Sequence, residues 1–254
     1  MTGLRAILYP MFAAVKPDAG QESPRLDPLL ERKSLAAQFR HEGRVNIRNV
    51  LAATSANRLH DCLKHEVTYR LCTNIGGTAR ALENLSAEQR NLCTVTAWRE
   101  VGLANFRFLY EMHMVSFAGE PYADPGHYLA EVVRFLNGSA FLGLARDVTG
   151  ISEIEFADAQ ATLYRNGHFL TAHDDRVPQS HRLAAYVLGF TPAWRPEWGG
   201  LLEFIDDRGD VEKGYLPGFN TLKLFRVPMS HHVSAVAPHA AAPRYSITGW
   251  LRSH

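Results

Sequence analysis

The spacing of apolar residues divides the chain into a helical first part and an extended second part. Leu59 and Leu63 lie four positions apart with polar residues between them, which predicts a helix over residues 55–66. Ser86 and Gln89 form a capping-box pattern, which predicts a helix that runs to about residue 108. A further helix is predicted from residue 34 to a turn at 42–43, with an extended segment over residues 45–50 after it, and another helix over residues 128–136. Residues 34–150 are therefore predicted to be mainly helical.

After residue 150 the chain consists of short extended runs separated by turn residues. The runs cover residues 159–164, 184–190, 201–205, 221–227 and 245–251, and glycine-containing turns lie between them. Helices followed by regularly spaced strands predict an α+β fold, with a jelly-roll core in about residues 151–254 and the helices of about 34–150 packed outside it. Residues 17–33 contain three prolines among charged and small residues, which predicts an irregular N-terminal arm over residues 1–33, so we expect one domain over residues 34–254.

Composition narrows the classes of partner. The 27 lysines and arginines nearly balance the 26 acidic residues, so no strong field favours nucleic acid or a membrane surface. Cys62, Cys72 and Cys93 are odd in number and form no C-x-x-C pair, which disfavours a disulfide framework or a thiolate metal site and fits a reducing cytoplasm. No apolar run approaches the roughly 20 residues that span a bilayer. We expect a cytoplasmic protein that binds neither nucleic acid nor membranes; its oligomeric state stays open.

A candidate metal site begins at His173 and Asp175. Two positions apart, they face the same side of an extended segment, although such a pair also arises by chance. His231 follows after several predicted strands, and Arg244 follows His231. Two histidines and one carboxylate leave ligand positions open on an ion, which is the arrangement of non-haem Fe(II) oxygenases rather than of a closed structural zinc site.

Several sequence blocks around this set carry a resemblance to a known family. The blocks are AQATLYRNGHFL (159–170), HDD (173–175), RLAAYVL (182–188), WRPEWGG (194–200), HHVS (231–234) and RYSITGW (244–250). Their order and spacing resemble the Fe(II)/2-oxoglutarate-dependent dioxygenases, and in particular the prolyl-hydroxylase-like branch. The resemblance implies a double-stranded β-helix, the jelly roll also found in cupins.

The same resemblance implies a ligand set. It makes His173, Asp175 and His231 the catalytic Fe(II) ligands. His231 is followed by His232, and only one of two neighbours in an extended segment can point inward. The family pattern at residues 233–234 fits when His231 is the ligand.

For 2-oxoglutarate, the resemblance assigns the distal carboxylate to Arg244. A planar guanidinium suits this role because it donates two parallel hydrogen bonds to a carboxylate. Tyr164 matches the family position whose phenol approaches the cosubstrate, and Ser246 shares a face with Arg244 if this segment is a strand. One departure is Gly189, where many relatives of prolyl specificity have a tyrosine, so we expect a differently shaped cosubstrate pocket.

The implied reaction is hydroxylation of a C–H bond by O2, with decarboxylation of 2-oxoglutarate to succinate and CO2 and with ascorbate as a supporting reductant. A prolyl residue of a protein or peptide is the expected substrate, and a free amino acid or small metabolite is the alternative. A hypothesis of another class is a jelly-roll module that binds a metal or ligand without turnover. A hydrolase reading of histidine, aspartate and Ser246 lacks the Gly-x-Ser-x-Gly elbow.

Overall fold

The computed structural model describes residues 22–102 and 106–254, so most of the predicted N-terminal arm lies outside the described residues. In these ranges the chain forms five helices and thirteen strands. The helices are α1 (Arg32–Glu42), α2 (Ala53–His65), α3 (Ala87–Val101), α4 (Tyr128–Leu136) and α5 (Ser139–Thr149). The strands are β1 (Arg44–Arg48), β2 (Arg70–Thr73), β3 (Arg80–Leu82), β4 (Phe108–Ser116), β5 (Phe156–Ala157), β6 (Ala159–Tyr164), β7 (Phe169–His173), β8 (Arg182–Phe190), β9 (Leu202–Ile205), β10 (Val211–Tyr215), β11 (Phe219–Arg226), β12 (His231–Val233) and β13 (Arg244–Arg252).

The strands form one antiparallel sheet that curls into a nearly closed barrel. Its order is β1-β11-β8-β13-β6-β4-β7-β12-β9-β10, with β2 and β3 added beside β4 and β5 added beside β13. β4 pairs with both β6 and β7 and so carries the sheet from one face of the barrel to the other. At the opposite side Arg44 of β1 forms an ion pair of 2.8 Å with Glu212 of β10, which links the two ends of the strand order.

The main face of the barrel is buried on both sides. On β8, Tyr186 and Leu188 belong to the apolar core under the helices, whereas Ala185 and Val187 belong to a second core inside the barrel. This alternation follows from the two-residue period of a strand. The predicted α+β jelly roll with helices on the outside is confirmed. None of the helices in the described part of the chain is long and apolar enough to cross a bilayer.

The first half contains more strand than the sequence analysis predicted. The capping box of Ser86 and Gln89 is present and starts α3, but the helix ends at Val101, not near residue 108. Phe108 instead begins β4, whose side chains alternate between α3 and the barrel interior. The prediction of a mainly helical half was therefore wrong for β2 to β4, because their short apolar runs were too brief for periodicity to reveal. The extended segment predicted over residues 45–50 is present as β1. The sequence analysis also missed α5, which ends at Gly150 in the left-handed conformation.

Candidate active site

Three predicted ligand residues meet at the mouth of the barrel. His173 ends β7 and pairs directly with His231, the first residue of β12. Asp175 follows β7 with a φ of 63°. Its two carboxylate oxygens lie 3.5 Å from His173 Nε2 and 3.5 Å from His231 Nε2. The three side chains offer ligand atoms close enough together to hold one metal ion.

Both imidazoles are oriented by backbone carbonyl groups. Nδ1 of His173 lies 2.9 Å from the carbonyl oxygen of Thr171, and Nδ1 of His231 lies 2.7 Å from that of Met229. Each Nδ1 therefore carries the proton and donates it, which leaves the lone pair of each Nε2 directed at the metal position. Burial lowers the pKa of His231 to about 4 and keeps it neutral, as a metal ligand must be.

The Asp175 side chain is nearly inaccessible and remains ionised. Burial, the largest influence, raises its pKa, but the neighbouring imidazoles of His173 and His231 lower the pKa below its ordinary value. The Trp250 side chain, which lines the same cavity, acts on this pKa in the same direction. The site thus offers two neutral nitrogen donors and one anionic oxygen donor, which suits Fe(II) with open positions for further ligands.

A second group with metal-ligand atoms within reach of one another consists of Cys62, Glu66 and His127, outside the barrel. Its carboxylate is already engaged, because Arg58 contacts both oxygens of Glu66 at 2.6 and 3.1 Å. We assign no metal there.

Arg244 projects into the same cavity as the three ligands. It is the first residue of β13, stands opposite Tyr164 on β6, and is only 4% exposed. Its guanidinium carbon lies 4.9 Å from the centre of the Tyr164 ring, which in turn stacks on Tyr110 at 5.1 Å. Within the described residues Arg244 Nη1 has no hydrogen-bond partner. A buried cation without an anion is costly, so this arrangement is suited to an anionic ligand.

The remaining predicted residues divide between the interior and the outside. Ser246 is buried on the same face as Arg244 and shares a hydrogen bond of 2.7 Å with Thr162. His232 turns away from the metal position and contacts Glu203 of β9. Gly189 lies in the barrel wall, where an added Cβ would stand only 2.6 Å from the carbonyl oxygen of Gly218.

Sequence reasoning gave no role to two residues that lie inside the barrel. Trp250, which lines this cavity, was quoted within a family block but received no role, although strand alternation from Arg244 and Ser246 places it on the same face. Lys223 was missed as well; the signal was its place between Thr221 and Phe225 at an inward position of β11. Outside the cavity, His168 is buried and accepts a hydrogen bond from the Arg165 backbone.

Comparison with known proteins agrees with this geometry. Residues 159–252 match the profile of the 2OG-Fe(II) oxygenase superfamily. This match assigns residues 159–252, the jelly-roll part of the chain, to the superfamily. Membership implies dependence on Fe(II) and 2-oxoglutarate, and residues 159–252 contain every ligand and cosubstrate residue named from the sequence. The predicted family is therefore confirmed.

A curated relative and two solved structures extend the comparison. Mouse prolyl 3-hydroxylase OGFOD1 is 29% identical over 110 residues, which cover 41% of this chain and 20% of that protein. The chain thus matches about a fifth of the length of this relative. An oxidoreductase of the 2OG-Fe(II) oxygenase family from Burkholderia pseudomallei has a TM-score of 0.61 at 15% identity, with 96% of this chain and 97% of that one covered. A prolyl hydroxylase from Trichoplax adhaerens, in complex with a peptide fragment of the oxygen degradation domain of hypoxia inducible factor, has a TM-score of 0.57 at 16% identity, with 87% and 89% covered. These two structures support the fold.

Proposed function

We propose that this chain is an Fe(II)- and 2-oxoglutarate-dependent oxygenase that hydroxylates a C–H bond. The observation that carries the proposal is one cavity that holds both a cluster of three metal-ligating side chains and a buried arginine whose Nη1 has no hydrogen-bond partner among the described residues. The first part suits a metal ion with open positions, and the second suits a carboxylate at some distance from that ion. A cosubstrate that is both a chelator and an anion satisfies the two together.

The residues divide the work as follows. His173, Asp175 and His231 hold Fe(II), and Arg244 receives the distal carboxylate of 2-oxoglutarate. When bound, Fe(II) and 2-oxoglutarate supply the oxidation of the substrate by O2, with succinate and CO2 as coproducts. Tyr164 orients the guanidinium through its ring, and the apolar walls of the barrel keep bulk water from the reacting groups.

Ser246 is proposed to donate a hydrogen bond to the same carboxylate, since its hydroxyl already lies on the Arg244 face with Thr162 as its partner. We expect ascorbate to sustain turnover as a reductant. We also propose that residues 34–254 act as one catalytic domain, because strands from both halves alternate in a single sheet.

A prolyl residue of a protein or peptide is the proposed substrate. OGFOD1 is a prolyl 3-hydroxylase, and the Trichoplax protein is a prolyl hydroxylase seen with a peptide. Phe106 supports an apolar target: its ring is 40% exposed and lies 5.5 Å from the ring of His173. A saturated ring can pack against such an aromatic surface beside the metal. A free amino acid or small metabolite remains the alternative to be separated by experiment.

The first experiment adds Fe(II) and 2-oxoglutarate to the metal-free protein without oxygen and records the visible absorption of a metal-chelated keto acid. We expect the absorption in the wild type and in His232→Ala, and its loss in His231→Ala, because His231 faces Asp175 whereas His232 contacts Glu203. Absence of the band in folded, iron-loaded wild type would refute the oxygenase and favour a binding module without turnover. With the band established, mass spectrometry of proline-containing peptides and of free amino acids after aerobic incubation separates the two substrate classes.

A further inference from the structure

A second cation, Lys223, is buried inside the barrel. On β11 the inward positions are Thr221, Lys223 and Phe225, because Leu222 and Leu224 belong to the core under the helices. Lys223 is only 2% exposed, and its Nζ donates a hydrogen bond of 3.0 Å to Thr221 Oγ1. No carboxylate within the described ranges forms an ion pair with it. A lysine this deeply buried is rare without a negative partner, and a structural role alone does not explain it.

The position of this ammonium group depends on Gly189. Gly189 of β8 pairs with Thr221 on one side and with Ser246 of β13 on the other. Because Gly189 has no side chain, Thr221 can occupy the space between these strands. A Cβ at position 189 would lie only 2.7 Å from Thr221 Oγ1. The family resemblance leads us to expect a tyrosine side chain in this space. In this chain the space contains the Thr221 hydroxyl, which accepts the hydrogen bond from Lys223.

The groups around Lys223 are otherwise uncharged. Its strand neighbours are Asn46 of β1 and Val187 of β8, and the facing residues of β13 are hydroxyl side chains. Burial lowers the pKa of Lys223, and the positive charge of Arg244 lowers it further, to about 7. With no anion in the pocket, Lys223 can thus lose its charge near neutral pH while Arg244 keeps its own.

We propose that Lys223 is a second, proton-accepting cation of the 2-oxoglutarate pocket. When the dicarboxylate binds at Arg244, the Lys223 amine takes one proton from the solvent, so that the anion faces two positive charges instead of one. This inference rests on the proposed function, which supplies the anion. Below the pKa of the free site the lysine is already charged and binding needs no proton. Above it, the affinity for 2-oxoglutarate falls by up to about tenfold per pH unit, because each binding event must also take up a proton.

The test is a calorimetric titration of 2-oxoglutarate into the Fe(II)-loaded protein without oxygen, at several pH values between about 6 and 8.5. Each titration is repeated in two buffers of different ionisation enthalpy, which gives the number of protons taken up independently of turnover. We expect the wild type to approach one proton per 2-oxoglutarate at the upper end of this range, with a Kd that rises accordingly. Lys223→Met has a similar volume and no charge, so we expect weak binding with a flat pH profile. Lys213→Met replaces an exposed lysine of β10 and should behave as the wild type does.

The outcomes separate this inference from the function on which it rests. Wild type that binds 2-oxoglutarate with no proton uptake, or with the same uptake as Lys223→Met, overturns the role of Lys223 and leaves the oxygenase intact. Wild type that does not bind 2-oxoglutarate at all overturns the proposed function itself. If Lys223→Met does not fold, Lys223→Gln, which can still donate a hydrogen bond to Thr221, takes its place in the comparison of proton uptake.

Discussion

Replacement of Arg244 by methionine should make the protein more stable and prevent it from binding 2-oxoglutarate tightly. In the ligand-free fold the guanidinium is 4% exposed and Nη1 has no partner, so part of its desolvation is uncompensated. Replacement of buried ionic groups by apolar ones of similar size commonly stabilises a protein by about 1–4 kcal/mol. The methionine would keep the contact with the Tyr164 ring. We expect a gain of about 1–3 kcal/mol, which for a chain of this length raises the Tm by about 2–4 °C per kcal/mol.

The same replacement should weaken the binding of 2-oxoglutarate. Two hydrogen bonds from a guanidinium to a carboxylate contribute about 1.5–3 kcal/mol each, so their loss weakens 2-oxoglutarate binding by about a hundredfold or more. A ligand at about 100 times its Kd stabilises the folded state by about 2.7 kcal/mol. At that concentration a variant that binds about a hundredfold more weakly gains only about 0.4 kcal/mol, so 2-oxoglutarate should stabilise the wild type by about 2 kcal/mol more than Arg244→Met and offset their ligand-free difference.

Thermal unfolding of the metal-free protein measures the change in stability. Thermal unfolding of the Fe(II)-loaded protein with 2-oxoglutarate, without oxygen, measures the loss of cosubstrate binding. Arg48→Met, at an exposed position of β1, is the matched control and should change neither. Ligand-free Arg244→Met that unfolds at or below the wild-type temperature would refute the reasoning, because the arginine would then have a stabilising partner of its own.

Three further predictions concern neighbouring residues. Trp250→Phe removes the indole N–H that helps to keep the pKa of Asp175 low and should weaken Fe(II) binding by about 10- to 100-fold in a competitive chelator titration, with unchanged affinity as the contrary result. Gly189→Ala places a Cβ against the backbone carbonyl of Gly218, directly before β11, and should lower the free energy of unfolding by about 1–3 kcal/mol in urea. An unchanged urea midpoint would show that β8 and β11 can separate. Burial holds the pKa of His168 at about 4, so between pH 6.5 and 4 the unfolded chain binds a proton there that the folded chain does not. As the pH is lowered through this window, the free energy of unfolding should therefore decrease by up to about 3 kcal/mol. In denaturant titrations His168→Asn, which can still accept a hydrogen bond, should show a smaller decrease.

The jelly-roll half was accessible to sequence reasoning because its strands have strong local signals. Residues 159–164 were predicted as a strand and form β6 with the same limits, since glycine and asparagine mark its end and branched or aromatic residues fill it. β4 was hidden for the opposite reason. Its sequence includes leucine, methionine and glutamate, which are good helix formers, and only pairing with β6 and β7 makes it a strand.

The residues of the candidate site also differ in how far the sequence alone predicts them. A resemblance in ordered blocks indicated His173, Asp175 and Arg244, because these residues follow fixed positions in the strands. Lys223 could not be recognised from local pattern, because an isolated lysine in a strand ordinarily faces solvent and its burial depends on the closed barrel. The direction of His231 rather than His232 also depends on register, since a shift of one residue exchanges the two faces.

The place of β4 in the sheet has a consequence for how this chain can be divided. A fragment that began near residue 151 would keep all the metal ligands and Arg244, yet it would lack the strand between β6 and β7 and the strand outside β11. Such a fragment would expose long unpaired strand edges, and the strand that ends at His173 would lose its link to β6. We therefore expect a truncated chain to aggregate rather than to bind iron, so that the shortest segment that can fold is much longer than the segment that carries the recognisable motifs.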